Sequence, residues 1–246
     1  MKIRFIQQDP WIAPGEYLAW AERHGYETKI TRCWEFEDVP DEPDADMLVV
    51  LGGMQNPATS KEECPYFDSS AERALISKYV DEEKIVIGIC LGAQLVGEAL
   101  GAPYLHSPER EIGPVETRLT EEGRADPFFA DFPDVFPTGQ WHNDMPGLTD
   151  DADIIAESDG CPRQIVRYGR WVYGFQAHME FTPEIIEGGI EQAAPSLKKP
   201  GRYIQTAEQL RSYDYTEMNA LLSGFLDALI DDWMNEKAGR EAGNRA

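Results

Sequence analysis

Basic residues are scarce in this sequence: 22 Lys and Arg stand against 45 Asp and Glu in 246 residues, a formal net charge of −23 at pH 7. Broad binding to nucleic acid or anionic lipid is driven by Lys and Arg that release counterions from phosphate. No basic run offers that, so neither a nucleic-acid partner nor a membrane partner is expected. Cysteine is sparse too. Cys33, Cys64, Cys90 and Cys161 are far apart and form no CxxC pair, which excludes a small disulfide scaffold and the zinc-finger spacing. No metal and no cofactor are expected. Long apolar runs are missing: the most apolar stretch, residues 85–105, is broken by Gln94, Glu98 and several glycines and reads poorly as a membrane span. The opening MKIRFIQQDP holds too few apolar residues for a cleaved leader. Core material, by contrast, is plentiful. The chain is 42% hydrophobic and 11% aromatic, more than a disordered acidic chain carries. A soluble, folded, cytoplasmic protein is expected.

Short β-branched runs alternate with helical patterns. Lys2 to Gln7, Thr28 to Cys33, Met47 to Leu51 and Ile85 to Ile89 read as buried strands. A helix is predicted from Pro14 to Gly25, and another opens with Ser69 and Glu72 at capping-box spacing, with Leu75, Ile76, Tyr79 and Val80 on one face. Further strands are expected at Val115 to Leu119, Asp153 to Glu157, Gln164 to Tyr168 and Trp171 to Gln176, the last two joined by a hairpin turn. A helix capped by Thr182 starts at Pro183, residues 195–202 form a loop, a final helix covers about 207–234, and a tail over 237–246 frays. With no internal repeat and no second core, residues 1–246 are expected to form one domain. Its class is α/β, a mostly parallel sheet flanked by helices. The acidic segment EFEDVPDEPDAD, Glu35 to Asp46, contains prolines and no helical spacing, so it reads as a solvated loop rather than a metal site.

GICLGAQ, Gly88 to Gln94, is the most informative segment. The apolar strand IVIGI runs straight into the helix-compatible LGAQLVGEAL with Cys90 at the junction. Gly88-x-Cys90-x-Gly92 has the pattern of a nucleophile elbow, with Cys in the place of Ser. A sharp strand-to-helix turn crowds flanking side chains, which glycine relieves. It presents the sulfur at a strand's carboxyl end, where α/β sheets place their sites and a helix N-terminus favours a thiolate. Cys33, Cys64 and Cys161 lack such flanks and are expected to be buried core cysteines.

A thiolate mechanism needs a base. His24 ends a surface helix, and His106 is read as lying in a loop. His178 follows the strand WVYGFQ and stands two residues before Glu180. In extended backbone the two point to one side, so Glu180 can orient the imidazole while its other nitrogen faces the nucleophile. An incidental strand-end contact is the alternative for that pair taken alone. Leu51-Gly52-Gly53-Met54 ends the strand MLVVL, and backbone N–H groups of such a turn, with that of Leu91, can converge on an oxyanion. A plain strand-ending turn would look the same.

LVVLGGM, GICLGAQ and GFQAHMEFTPE, in that order, resemble the class I glutamine amidotransferases, most closely stand-alone proteins similar to the amidotransferase domain of GMP synthase. The motifs cover Met47 to Glu184. The resemblance implies a flavodoxin-like fold and an enzyme. It implies that Cys90 would attack the side-chain amide of glutamine to give a γ-glutamyl thioester and ammonia, that His178 would relay protons and Glu180 hold it, and that water would release glutamate. The amides of Gly53 and Leu91 would form the oxyanion hole. Gly52, Met54, Gln94 and the QWHND residues His142, Asn143 and Asp144 fall on the substrate side; for His142, a loop histidine packed on Trp141 remains the alternative. Two positions depart from the family: Met179 stands where many members have Pro between His and Glu, and Met54 where Pro often follows the glycine pair. No ATP-pyrophosphatase domain or phosphate-binding glycine loop is visible, so an ammonia acceptor would be a synthase on a separate chain. A hydrolase of γ-glutamyl peptides or conjugates using the same triad is the second reading, with Gln55 to Asp68 and Ser107 to Gly113 as the loops that would distinguish it. A non-catalytic regulatory module is the third, and the intact Cys90, His178 and Glu180 weigh against it.

Overall fold

The computed structural model describes residues 1–199 and 201–243. The first part of the chain alternates strand and helix, as the β-branched runs predict: β1 (Lys2–Gln7), α1 (Glu16–Arg23), β2 (Glu27–Arg32), β3 (Met47–Val50), α2 (Ser69–Asp81), β4 (Ile85–Ile89) and α3 (Leu91–Ala99). Of the strands expected to be buried, β2 is instead an edge strand with only Thr31 buried. Every residue of β3 and β4 is buried, and the pleat divides them between two cores. Met47, Val49, Ile85, Ile87 and Ile89 pack with Tyr17 and Trp20 of α1. Leu48, Val50 and Val86 pack with Leu75, Ile76 and Tyr79 of α2 and Leu95 of α3.

One cap differs from expectation. Ser69 and Glu72 do not form a capping box; the N-cap of α2 is Asp68, whose carboxylate accepts from the Ala71 N–H. A carboxylate at the positive end of the helix is the stronger acceptor. It leaves Ser69 to donate to the Pro57 carbonyl and Glu72 to turn inward, where it accepts from Gln8 Nε2 at 2.7 Å. The Glu35 to Asp46 segment is largely exposed, as expected of a solvated loop, though its end is tied down by Arg4 and Lys29 on Asp44 and by the Lys2 N–H on Asp46.

The middle of the chain contributes β5 (Leu105–Ile112), β6 (Val115–Leu119), α4 (Glu121–Ala125), β7 (Val135–Thr138), β8 (Trp141–Met145), β9 (Asp153–Ser158), β10 (Ile165–Gly169) and β11 (Val172–Phe175). The expected β10–β11 hairpin is present, with Val166 opposite Gly174. The C-terminal part adds α5 (Pro183–Gln192), capped by Thr182 as expected, then α6 (Ala194–Leu197), β12 (Tyr203–Ile204), α7 (Ala207–Ser212) and α8 (Thr216–Gly243).

Four further expectations are corrected. The loop expected over 195–202 begins within α6, which ends at Leu197. The segment read as a loop around His106 is β5, whose sequence LHSPEREI has no clean alternation and contains a proline; pairing with β8 and β12 makes it a strand. The single helix expected over 207–234 is two helices. Asp214 accepts from the N–H and hydroxyl of Thr216, and the Tyr215 hydroxyl turns back to the Leu210 carbonyl, so the chain restarts at α8. From 237 to 243 the chain is helical rather than frayed, with Lys237 bonded to Asp46 and Arg240 paired with Glu83. Residues 244–246 of the expected tail and Pro200 of the expected loop lie outside the described residues.

The large sheet has the order β2-β1-β3-β4-β11-β10-β9-β6-β7, and β12-β5-β8 form a second sheet. The five strands from β2 to β11 are parallel neighbours, and the remaining pairings of the large sheet are antiparallel. This is the expected α/β fold, and its parallel half carries the elbow. α8 lies over the sheet on the α1 side, where Phe225 meets Phe129, Tyr173 and Phe175. Among the described residues, no helix is long and apolar enough to cross a membrane.

The elbow glycines are required by contact. A Cβ on Gly88 would lie 2.3 Å from the Gly92 carbonyl oxygen, and one on Gly92 would lie 2.0 Å from that of Val50. Gly92→Ala therefore forces backbone apart and is expected to cost about 3 kcal/mol, roughly 6–12 °C in Tm for a chain of this size. Gly224 is exposed in α8, and open space surrounds the place where a methyl group would stand. There the same change should raise stability by about 0.5–1 kcal/mol. Thermal unfolding of the two variants checks both signs.

Candidate active site

β4 ends at Ile89 and α3 begins at Leu91, which leaves Cys90 alone to make the turn. It does so at φ 52° and ψ −108°, a left-handed conformation that costs a non-glycine residue about 1–3 kcal/mol and is held only when its surroundings insist. The Cys90 N–H donates to the Phe175 carbonyl at 2.7 Å, locking the end of β4 to the end of β11. The residue is 8% exposed, and its sulfur lies 3.9 Å from the Trp141 carbonyl oxygen.

Beyond β11 the chain runs three residues to His178. Paired N–H to carbonyl bonds with Gly139, both 2.8 Å, fix the backbone at this point. The ring stacks on Phe181 at 4.4 Å between centroids. Its Nδ1–H donates to Glu180 Oε1 at 2.6 Å, and the Cys90 sulfur acts on the same imidazole. All three groups are buried. Burial works to lower the His178 pKa, but the Glu180 carboxylate and the Cys90 sulfur outweigh it, and the value is pushed up to about 10. The imidazole is thus cationic at neutral pH. Met179 replaces the proline of many family members without loosening Glu180. Asn219 of α8 reaches across to donate to the Met179 and Phe181 carbonyls, at 2.7 and 3.2 Å, and the Glu180 carbonyl accepts the Glu16 N–H at the start of α1.

On the other side of Cys90, the turn after β3 brings Gly52 against the sulfur-bearing residue. A Cβ built on Gly52 would be 3.4 Å from both Cys90 Cβ and His178 Cε1. Gly53 abuts the first turn of α3, since its Cβ would meet Leu91 Cδ2 at 2.7 Å. The Met54 N–H is taken by Asp9 Oδ2 at 3.2 Å, and Asp9 is held in turn by the Tyr66 hydroxyl at 2.8 Å. Leu91 occupies the first position of α3, where a helix leaves its N–H groups unpaired. The two amides named for the oxyanion hole thus belong to adjoining segments beside Cys90.

A polar pocket of about 210 Å3 opens from Cys90 and contains Gly53, Met54, Gln94, His142, Asn143 and Asp144, together with Gln55, Asn56, Arg110 and Trp141. Gln94 donates to Gln176 Oε1 at 3.1 Å, while its own buried Oε1 has no partner among the described residues. His142 is not packed on Trp141 in the manner of a loop histidine. It is a β8 residue whose Nε2 lies 3.2 Å from Glu111 of β5. Asp144 is bonded to His106, the partner that sequence proximity could not reveal. Gly52 belongs instead to a second, apolar recess on the His178 side, lined also by Trp11, Ile12, Trp141, Phe181, Ile185 and Ile186.

Glu111, His142 and Cys161 lie within 4.8 Å of one another, yet their chemistry is that of a hydrogen-bond network. Glu111 already accepts from Ser158 at 2.8 Å and Gln164 at 2.6 Å besides meeting His142. Burial pushes the Cys161 thiol up to about 11, away from the thiolate a metal needs. Cys33 is a core cysteine as expected. Cys64 is only half-buried, with its sulfur accepting from Gln55 Nε2 at 3.4 Å, because it sits in the loop between β3 and α2 rather than on a core-facing element.

Sequence reasoning missed Asp9, Glu111 and Gln176, each of which holds a site residue from another element, and Asn219, which holds the two residues flanking Glu180. Asp9 had a signal: Gln7, Gln8 and Asp9 form a buried polar run at the carboxyl end of β1, the edge where the elbow also opens.

The sequence pattern of the family described as glutamine amidotransferase class-I matches residues 19–190. The glutamine amidotransferase-like protein YfeJ of Salmonella typhimurium is 50% identical over 232 residues, 93% of this chain and 97% of that protein. GMP synthase (glutamine-hydrolyzing) of Mycobacterium bovis is 32% identical over 97 residues, 39% of this chain and 18% of that enzyme. Among solved structures, that of SMU.1228c matches with a TM-score of 0.91 at 46% identity, over 94% of this chain and 100% of that one. A glutamine amidotransferase of Thermotoga maritima matches with a TM-score of 0.81 at 23% identity, over 94% and 98%, a likeness of fold.

Because the folded His178 pKa lies above the ordinary 6.5, its ion pair with Glu180 stabilises the fold fully below pH 6.5, and that contribution is lost as pH rises through about 10. Glu180→Gln removes the partner. The Tm gap between wild type and variant should be widest below pH 6.5 and narrow towards pH 10; a gap independent of pH would contradict the ion pair.

Proposed function

The chain belongs to the class-I glutamine amidotransferase family, and from that premise we propose that it hydrolyses the side-chain amide of glutamine through a γ-glutamyl thioester on Cys90. One observation carries the reading: β3, β4 and β11 are adjacent and parallel, and their carboxyl ends hold the Gly52-Gly53 turn, Cys90 and His178 side by side.

The chemistry follows from that order. The Cys90 sulfur, paired with the His178 imidazolium, adds to the amide carbon and forms an S–C bond. The developing oxyanion is met by the Gly53 and Leu91 amides, donors fixed before the reaction begins. As the C–N bond breaks, His178 gives its proton to the departing nitrogen, and ammonia leaves. The neutral imidazole then takes a proton from water as the water adds to the thioester. The S–C bond breaks, glutamate leaves, and the sulfur–imidazolium pair is restored. Glu180 keeps the ring oriented and supports its charge in both halves of the cycle. In the polar pocket, Gln94, Asp144 and Arg110 supply an acceptor, an anion and a cation suited to an amino acid's ammonium and carboxylate. A glutamine-hydrolysing unit of this kind also suits delivery of ammonia to a separate synthase chain, for which glutamate release that rises with a co-purifying protein is the signature.

Glutamate release from glutamine by the purified chain is the test. Cys90→Ala should abolish it, and His178→Ala should lower kcat by about 10²–10⁴-fold. A chloroketone analogue of glutamine should label Cys90 and no other cysteine. Release that survives Cys90→Ala would sink the proposal.

A further inference from the structure

We propose that the apolar recess beside His178 receives the leaving amine, and that γ-glutamyl amides of short apolar amines are better substrates than glutamine; this rests on the thioester chemistry proposed above. Two recesses of opposite character meet at Cys90. Attack of the sulfur on an amide carbon divides the substrate into an acyl part and an amine part, which extend to different sides of the carbon. The group that protonates the departing nitrogen must reach it. His178 lines the apolar recess and not the polar pocket, whereas Gln94, Arg110 and Asp144 line only the polar one. The glutamyl part therefore occupies the polar pocket, and the nitrogen with its substituent points past His178 into the apolar recess.

The walls of that recess are built for carbon. α5 carries Gly188 and Gly189 where Trp11 and the Trp141 indole close upon it. A Cβ on Gly188 would be 3.1 Å from Trp11 Cβ, and one on Gly189 would be 3.0 Å from the Trp141 ring. Ile12, Ile185 and Ile186 complete the lining, and no Lys, Arg, Asp or Glu belongs to it among the described residues. With glutamine, whose nitrogen bears only hydrogens, these surfaces would face water. A leaving amino acid would bring a carboxylate against them with no cation except His178, whose charge already serves Glu180 and Cys90. The recess has about 40 Å3 of space for water-sized groups, room for roughly three of them. It suits a short aliphatic substituent.

The covalent steps are those already given, with an amine in place of ammonia. The C–N bond breaks as the S–C bond forms, His178 protonates the amine nitrogen, and water restores the enzyme and yields glutamate. No oxidant or further reactant is needed.

The experiment compares kcat/KM by glutamate release for glutamine, γ-glutamyl ethylamide, γ-glutamyl isobutylamide and γ-glutamyl alanine, using the full chain. Each buried methylene should raise kcat/KM by about fourfold. The isobutylamide should therefore exceed glutamine by about tenfold or more, and γ-glutamyl alanine should fall below the isobutylamide. Trp11→Ala should shrink the isobutylamide-to-glutamine ratio towards one, a ratio that partial misfolding would not move. Cys90-dependent turnover in which glutamine equals or exceeds the alkyl amides would overturn the inference and leave the hydrolase reading standing. No turnover of any of the four, with no labelling of Cys90 by the chloroketone, would overturn both.

Discussion

The site depends on the parallel pairing of β4 with β11, closed by the bond from the Cys90 N–H to the Phe175 carbonyl. That pairing puts the strand that ends in a cysteine beside the strand that leads to a histidine. The same bond holds Cys90 in a backbone conformation it would not adopt alone. The glycines follow from this geometry. With β3 paired to the other side of β4, α3 must descend directly onto the Val50 carbonyl, and only a residue without a Cβ allows it. Three neighbouring strand ends then supply turn, nucleophile and base without any long loop.

The site holds its charged pair where water is excluded. His178 and Glu180 are nearly inaccessible, and a buried ion pair is sound only when its geometry and remaining hydrogen bonds are good. Here Glu180 Oε2 is buried with no partner among the described residues, and the pair rests on its 2.6 Å bond and on backbone pinned from three directions: by Gly139 ahead of β8, by Asn219 from α8, and by the first turn of α1 on the Glu180 carbonyl. The C-terminal helix is therefore part of the site although it offers no reacting group. Most of the −23 net charge plays no part in this. It lies in segments such as Glu35 to Asp46, largely exposed and tied down at points such as Lys78 on Glu42 and Arg4 on Asp44.

Local signals were legible in the sequence. Buried strands of the parallel half, the elbow glycines and the His-x-Glu spacing all express short-range constraints: pleat alternation, crowding at a sharp turn, and the two-residue period of extended chain. What was not legible depends either on partners distant in sequence or on which of several local hydrogen bonds wins. β5 is polar on both faces and becomes a strand only because β8 lies beside it, which also turns His142 from a loop residue into the partner of Glu111. Asp68 outcompetes a capping box that spacing alone favoured, and Asp214 interrupts a helix whose apolar stripe runs on. Met179 illustrates the reverse case. Its departure from proline removes a local restraint, and hydrogen bonds from Asn219 and Gly139 supply one that no local pattern records.

The central claim is that Cys90 carries the glutamyl group during turnover. Acid-quenching the chain within the first turnover on glutamine, followed by peptide mass mapping, tests it most directly. The expected result is a glutamyl adduct on the peptide containing Cys90, lost on neutralisation in hydroxylamine and unaffected by alkylation of Cys64 alone. Continued glutamate production with no adduct on that peptide, or with the adduct on another residue, would contradict it.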